Sequence, residues 1–225
     1  MNVHSIFTYT VGQSPGPVSM PPGYVKEVVG MADGDTERAR LRREQVLDAA
    51  AACFRRHGFH AASMAGISRE AGMSVGHIYH YFSGKEAIIA AIVERDQQEI
   101  LAIDSGIRSQ PDPARALVDH APRGLDRALD GGDGPLLLEI LAEAARNPTI
   151  AAKVREADAE VRRRIGETLM AATNGRGELS DLEGRLEVLG ALFGGLMLRA
   201  VRNPGLDRAA TARAMQRVIH ALLEP

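Results

Sequence analysis

The sequence predicts an all-α protein, and three observations carry that expectation. From Thr36 onward, apolar residues recur at the three- and four-residue spacing of amphipathic helices. No stretch alternates apolar and polar residues in the two-residue period of a half-buried strand. Residues that favour helix N-termini stand at helix-length intervals: Ser63, Ser74, Ser83, Asp112, Asn147, Ser180 and Asp207. With 225 residues, 45% of them apolar, the chain has material for one large core or two smaller ones.

Residues 1–35 hold Pro15, Pro17, Pro21, Pro22 and five glycines, without helical period, and are expected to be a disordered tail. The tail lacks the basic start and apolar run of a signal peptide, and Met20 or Met31 could be the native start. Val46, Ala49, Ala50, Cys53 and Phe54 mark a helix over about 38–56, which Gly58 ends. Ser63 caps a short helix over 64–71, Gly72-Met73-Ser74 turns the chain, and a two-turn helix follows over 75–81 with Ile78 inward. Ser83 is expected to cap a helix over 84–104. Asp112-Pro113 opens a helix over 114–129 that Pro122 should kink or split. The loop 131–134 precedes a helix over 136–146, and Asn147-Pro148 opens a long one reaching 172. After a loop over 174–177 come helices over 181–202 and 208–223. The domains expected are the tail, a unit over 36–84, and a helical body over 85–225.

Charge narrows the function. A formal net charge of −2 excludes a polybasic protein that coats nucleic acid by total charge. The charge is nevertheless sorted: residues 36–95 carry nine Lys/Arg against six Asp/Glu, and residues 96–225 carry seventeen against twenty. The single cysteine, Cys53, excludes an intrachain disulfide and a cysteine-rich zinc site. The longest apolar run, 186–201, is cut by Gly190, Gly194, Gly195 and Arg199, so no spanning helix is expected and a cytoplasmic protein is.

Two short helices joined by a glycine-containing turn form a helix-turn-helix pattern. Ile78 and Phe82 back the second helix, leaving Ser74, Val75, Gly76, His77, Tyr79 and His80 outward. Serine and histidine can hydrogen-bond base edges or phosphates, valine can touch a thymine methyl, and Gly76 permits close backbone approach. Lys85 at the start of the next helix adds its charge to that helix's N-terminal dipole, which favours a phosphate.

The residues of this stretch resemble the signature of the TetR family of bacterial repressors. Ser63, Ala71-Gly72, Tyr79, Phe82 and Lys85 stand at that signature's spacing, with Val46-Leu47-Asp48-Ala49-Ala50, Phe54 and Gly58-Phe59 upstream. The resemblance implies an N-terminal three-helix DNA-binding domain and a C-terminal helical ligand-binding and dimerisation domain. It implies phosphate contacts from Ser63, Tyr79 and Lys85, base or near-base contacts from Ser74, Val75, His77 and His80, and Arg40, Arg42 and Arg43 near the flanking backbone or minor groove. Tyr79 also suits packing between helices, and His77 suits a solvated surface.

The segment 139–148 resembles one common in a broad branch of the same family, where its helix lines an inducer cavity. His120, Leu137, Ile140, Leu141, Phe193 and Met197 are then the candidates to face a ligand, with plain core as the alternative. The helix over 181–202 is apolar nearly all round, and the last helix carries Met215, Val218, Ile219 and Leu222 on one stripe. These two are expected to pair with their symmetry mates. The function expected is a homodimeric repressor on a palindromic operator, released by a small-molecule effector and needing no cofactor. An adaptor controlled by a protein partner is the alternative. An enzyme is the remote one, since GxSxG, the Walker lysine loop, HExxH and GxGxxG are all missing. The His57/His60 and His77/His80 pairs have helical metal spacing without further ligands to complete a site.

Overall fold

The computed structural model describes residues 24–130, 133–173 and 179–224. Among these residues there are nine helices and no strand: α1 (Tyr24–Ala61), α2 (Met64–Ala71), α3 (Val75–Tyr81), α4 (Lys85–Arg108), α5 (Pro113–Asp130), α6 (Asp133–Ala144), α7 (Pro148–Ala172), α8 (Leu179–Arg202) and α9 (Arg208–Leu223). The chain divides into two compact units, residues 1–42 and residues 43–225. In the first, the described residues belong to α1, where Arg40 and Glu37 pair one turn apart at 2.7 Å on the exposed surface.

The second unit holds two cores. In one, Val46, Ala50 and Phe54 of α1 meet Ile67 of α2, Ile78 of α3, and Ile88, Ile89 and Ile92 of α4. Leu136 and Ile140 of α6 and Ile150 of α7 complete it, so packing continues across the domain boundary expected at residue 84. Phe54 is fully buried, and truncating such a ring to alanine costs about 3–5 kcal/mol. The other core joins Ala121 and Leu125 of α5 to Leu189 of α8 and Met215 and Ile219 of α9.

Several helix ends follow the local chemistry of their caps. Ser63 Oγ accepts from Gly66 N–H at 3.0 Å, Asn147 Oδ1 from Thr149 N–H at 3.1 Å, and Asp207 Oδ1 from Ala210 N–H at 2.9 Å. Others differ from expectation. α1 begins at Tyr24, so residues 24–35 are helical where a tail was expected; all four early prolines precede it, and extending a nucleated helix is far easier than starting one. The rest of that tail, residues 1–23, lies outside the described residues, as do residues 131–132 and 174–177 of the two expected loops. Gly84, not Ser83, is the N-cap of α4, and Ser180 falls inside α8.

α5 runs on through Pro122 as one helix, so the proline does not split it. Proline lacks the N–H that would bond the carbonyl four residues back, here that of Val118. Gln216 of α9 supplies the missing donor, its Nε2 lying 3.3 Å from Val118 O. Close helix approach explains two glycines nearby. A Cβ on Gly124 would come within 2.7 Å of the Phe193 ring, and one on Gly134 within 2.6 Å of Met197 O.

Candidate nucleic-acid interface

The α2–α3 pair is fixed from behind by bonds its sequence makes locally. Gly72, at φ 63°, turns the chain in the left-handed region and returns its N–H to the end of α2. The Ser68 hydroxyl donates to Met73 O, and Gln45 Nε2 of α1 donates to Ala71 O at 2.7 Å. Arg56 of α1 pairs with Glu70 of α2 at 2.6 Å, while Arg95 of α4 reaches back to Asp48 at 2.7 Å and Glu44 at 3.2 Å. Hydrogen bonding to these carboxylates holds the Arg56 and Arg95 guanidiniums above their ordinary pKa, against the desolvation that opposes it and is the largest influence at Arg95.

With α3 held, its outward residues stand free of the core. Ser74, Val75, Gly76, His77, Tyr79 and His80 are all exposed, Tyr79 by 51% and Val75 by 36%. Ser74 Oγ accepts from His77 N–H at 3.2 Å, and its own hydrogen remains available to a phosphate oxygen; Ser63 is in the same position at the start of α2. A Cβ on Gly76 would meet nothing within 4 Å, so no neighbour inside the chain demands glycine there. The rings of His77 and His80 lie 5.4 and 5.2 Å from that of Tyr81. The structure thus brings six of the ten predicted DNA-contact residues onto one short helix and its cap.

The other four are placed differently. Ser63 caps α2, and Lys85 points its ammonium at the end of α1, 2.7 Å from Phe59 O and 3.2 Å from His60 O, over the Phe59 ring. Arg43 stacks its guanidinium 4.5 Å from the centroid of Phe82. Arg42 is exposed and belongs to the first unit.

The predicted ligand residues differ in burial. Ile140 is buried in the first core and Phe193 packs against the second, while Leu141 is 43% exposed. Leu137 and Met197 are partly buried. His120 is held within its own helix: Nδ1 faces Ala116 O at 2.9 Å, and Arg123 lies 3.1 Å from Nε2.

Sequence reasoning missed a joint between the end of α1 and α6. Gly58, at φ 76°, breaks the helical path of α1, and Glu139 Oε2 accepts from Phe59 N–H at 2.9 Å just beyond it. Buried Glu143, one turn further along α6, has His60 Nε2 at 3.2 Å and accepts from Asn147 Nδ2 at 3.3 Å. The signal available in sequence was the pair of acidic residues four apart in the otherwise apolar stretch 136–144.

Two family models match the chain. The one described as bacterial regulatory proteins of the tetR family covers residues 46–92, and the one described as the C-terminal domain of BetI-type transcriptional repressors covers residues 135–224. The HTH-type transcriptional regulator UidR of Escherichia coli K12 is 32% identical over 152 residues, which is 67% of this chain and 75% of that protein. Salmonella enterica GusR superposes with a TM-score of 0.66 at 27% identity, covering 81% of this chain and 95% of its own. Bacillus subtilis FadR, solved in complex with stearoyl-CoA, shares the fold at 19% identity, with a TM-score of 0.67 over 80% of this chain and 99% of its own. The match of residues 46–92 spans the helix-turn-helix and its supports, and the chain belongs to the TetR family of helix-turn-helix transcriptional regulators.

Proposed function

We propose that this regulator is a homodimeric repressor that occupies a palindromic operator and leaves it when a small molecule binds the helical body. The observation that carries the DNA half is the outward face of α3, whose side chains are exposed while Ile78 alone of that helix is buried. Laid in a major groove, Val75 suits a thymine methyl and Ser74, His77 and His80 suit base edges, with Ser63 and Tyr79 toward phosphates.

The dimer reading rests on α8 and α9. Val188 of α8 and Val218 of α9 are 50% and 40% exposed, bare apolar side chains that a second copy would cover. Gly190, Gly194 and Gly195 have nothing within 4 Å of where a Cβ would sit, unlike Gly124 and Gly134. Glycines with open space on an apolar helix let a second helix come close. A two-fold axis there would set two copies of α3 one DNA turn apart, about 34–36 Å.

Release requires an effector that binds the DNA-incompetent arrangement better, and it can be no stronger than that difference in affinity. Fragments of genomic DNA selected by the purified chain test the reading, with sedimentation of the protein–DNA complex. A single enriched palindrome bound by two chains is the expected result. No enriched sequence, or one chain per site, would overturn it.

A further inference from the structure

α4 and α7 pack along each other, and a polar group lies inside that seam. Asp104 of α4 is 4% exposed, and Thr168 of α7 is fully buried beside Leu169. The Thr168 hydroxyl donates to Asp104 Oδ1 at 2.6 Å; its alternative acceptor, Arg164 O, is 3.3 Å away, and one hydrogen cannot serve both equally. Asp104 Oδ2 is buried with no hydrogen-bond partner, and so is Nε of Arg164, one turn earlier on α7. The third such atom among the described residues, Glu143 Oε2, has His60 Nε2 at 3.2 Å. Arg108, one turn along α4 from Asp104, is turned to Glu167 at 2.8 Å.

A buried carboxyl with one oxygen oriented and the other unmatched destabilises a fold that could hold leucine there instead. Ligand sites accept that penalty, because a few converging polar groups in an apolar surround fix the ligand's orientation. We propose that Asp104, oriented by Thr168, and Arg164 form the polar end of an effector site between α4 and α7. Its ligand presents an O–H or N–H donor to Asp104 Oδ2 and an acceptor oxygen to Arg164 Nε–H. Polyols and amino alcohols carry that pairing; a fatty acyl chain does not. This inference rests on the reading of the body as effector-responsive.

The test uses the full chain with Asp104→Leu and Asp104→Asn. Melting is measured first without additive, and then with three probe sets: D-glucose and sorbitol, ethanolamine and serinol, decanoate and triclosan. Asp104→Leu is expected to melt at or above the wild type. At least one donor-bearing probe is expected to raise wild-type melting and weaken operator binding, with affinity at least tenfold lower in both variants. Which of the first two sets responds separates a neutral polyol from an ammonium ligand. Both variants melting well below wild type, no response to the first two sets, or a donor-bearing probe that keeps its affinity in Asp104→Leu would each overturn the assignment. Operator binding without probe is measured in parallel. Its absence defeats the repressor reading itself, whereas release by decanoate or triclosan alone leaves that reading standing and defeats this one.

Discussion

Lys85 closes the end of α1: its ammonium, on the first residue of α4, lies 2.7 Å from Phe59 O and 3.2 Å from His60 O. These are carbonyls that the break at Gly58 leaves near the helix end, where a cation is favoured. The resemblance to the family implies a phosphate contact for this lysine, yet any phosphate must compete with two bonds it already makes. Lys85→Met keeps the apolar stem over Phe59 and removes the charge. The expected outcome is a loss of about 1–2 kcal/mol of stability. The slope of log affinity against log salt should change by less than the ~0.9 expected of one lost phosphate contact. Melting and a salt titration of operator binding check both; unchanged stability with a full-unit slope change would return Lys85 to the phosphate.

Gly76 separates stability from recognition. Glycine inside a helix is less favourable than alanine by roughly 0.5–1 kcal/mol, and here no neighbour would resist a methyl group. Gly76→Ala should therefore raise the melting temperature while weakening operator binding, because the added Cβ stands where the DNA backbone or base edges approach. Paired measurements of melting and affinity decide it. Unchanged affinity would mean that this face of α3 does not come close to DNA.

What was legible in the sequence depended on the range of the interaction. Ser63, Ser74, Asn147 and Asp207 cap helices through bonds to residues two or three positions away, so residue type and spacing sufficed. The outward face of α3 was legible for the same reason, since seven residues set it. Which of the candidates for ligand contact turn inward was not. Ile140 and Leu141 are neighbours in sequence, but one turns into the core and the other faces outward. Only the packing of α6 against α1, α4 and α7 decides which. Asp104 went unnoticed although it lies on the stripe that runs from Ile100 to Ile107 (a position where an acidic residue is out of place).

Cys53 gives the fold an alkaline dependence. Burial, and secondarily Glu70, push its thiol above the ordinary range, with Arg56 and Arg69 opposing. The folded state therefore keeps a proton that the unfolded chain gives up. That contribution to stability is fully present below the unfolded thiol pKa of about 8.5 and is lost as pH rises through the folded value. Urea unfolding at neutral and alkaline pH should show wild type losing more stability on the rise than Cys53→Ala. Equal losses would place the alkaline sensitivity elsewhere.

The bond from Gln216 to Val118 predicts a coupling between residues of α5 and α9. Val118 O lacks its intrahelical donor because Pro122 has none to give, and the Gln216 amide at 3.3 Å stands in. Gln216→Ala leaves that half-buried carbonyl unmatched and should cost about 1–2 kcal/mol. Pro122→Ala restores an N–H in the ordinary position, so the same Gln216→Ala change in that background should cost little. A double-mutant cycle by urea unfolding measures the difference directly. A coupling of about 1 kcal/mol is expected, favouring the glutamine only where proline is present. Additive effects would mean that Val118 O is satisfied by other means, and that α5 tolerates Pro122 without help from α9.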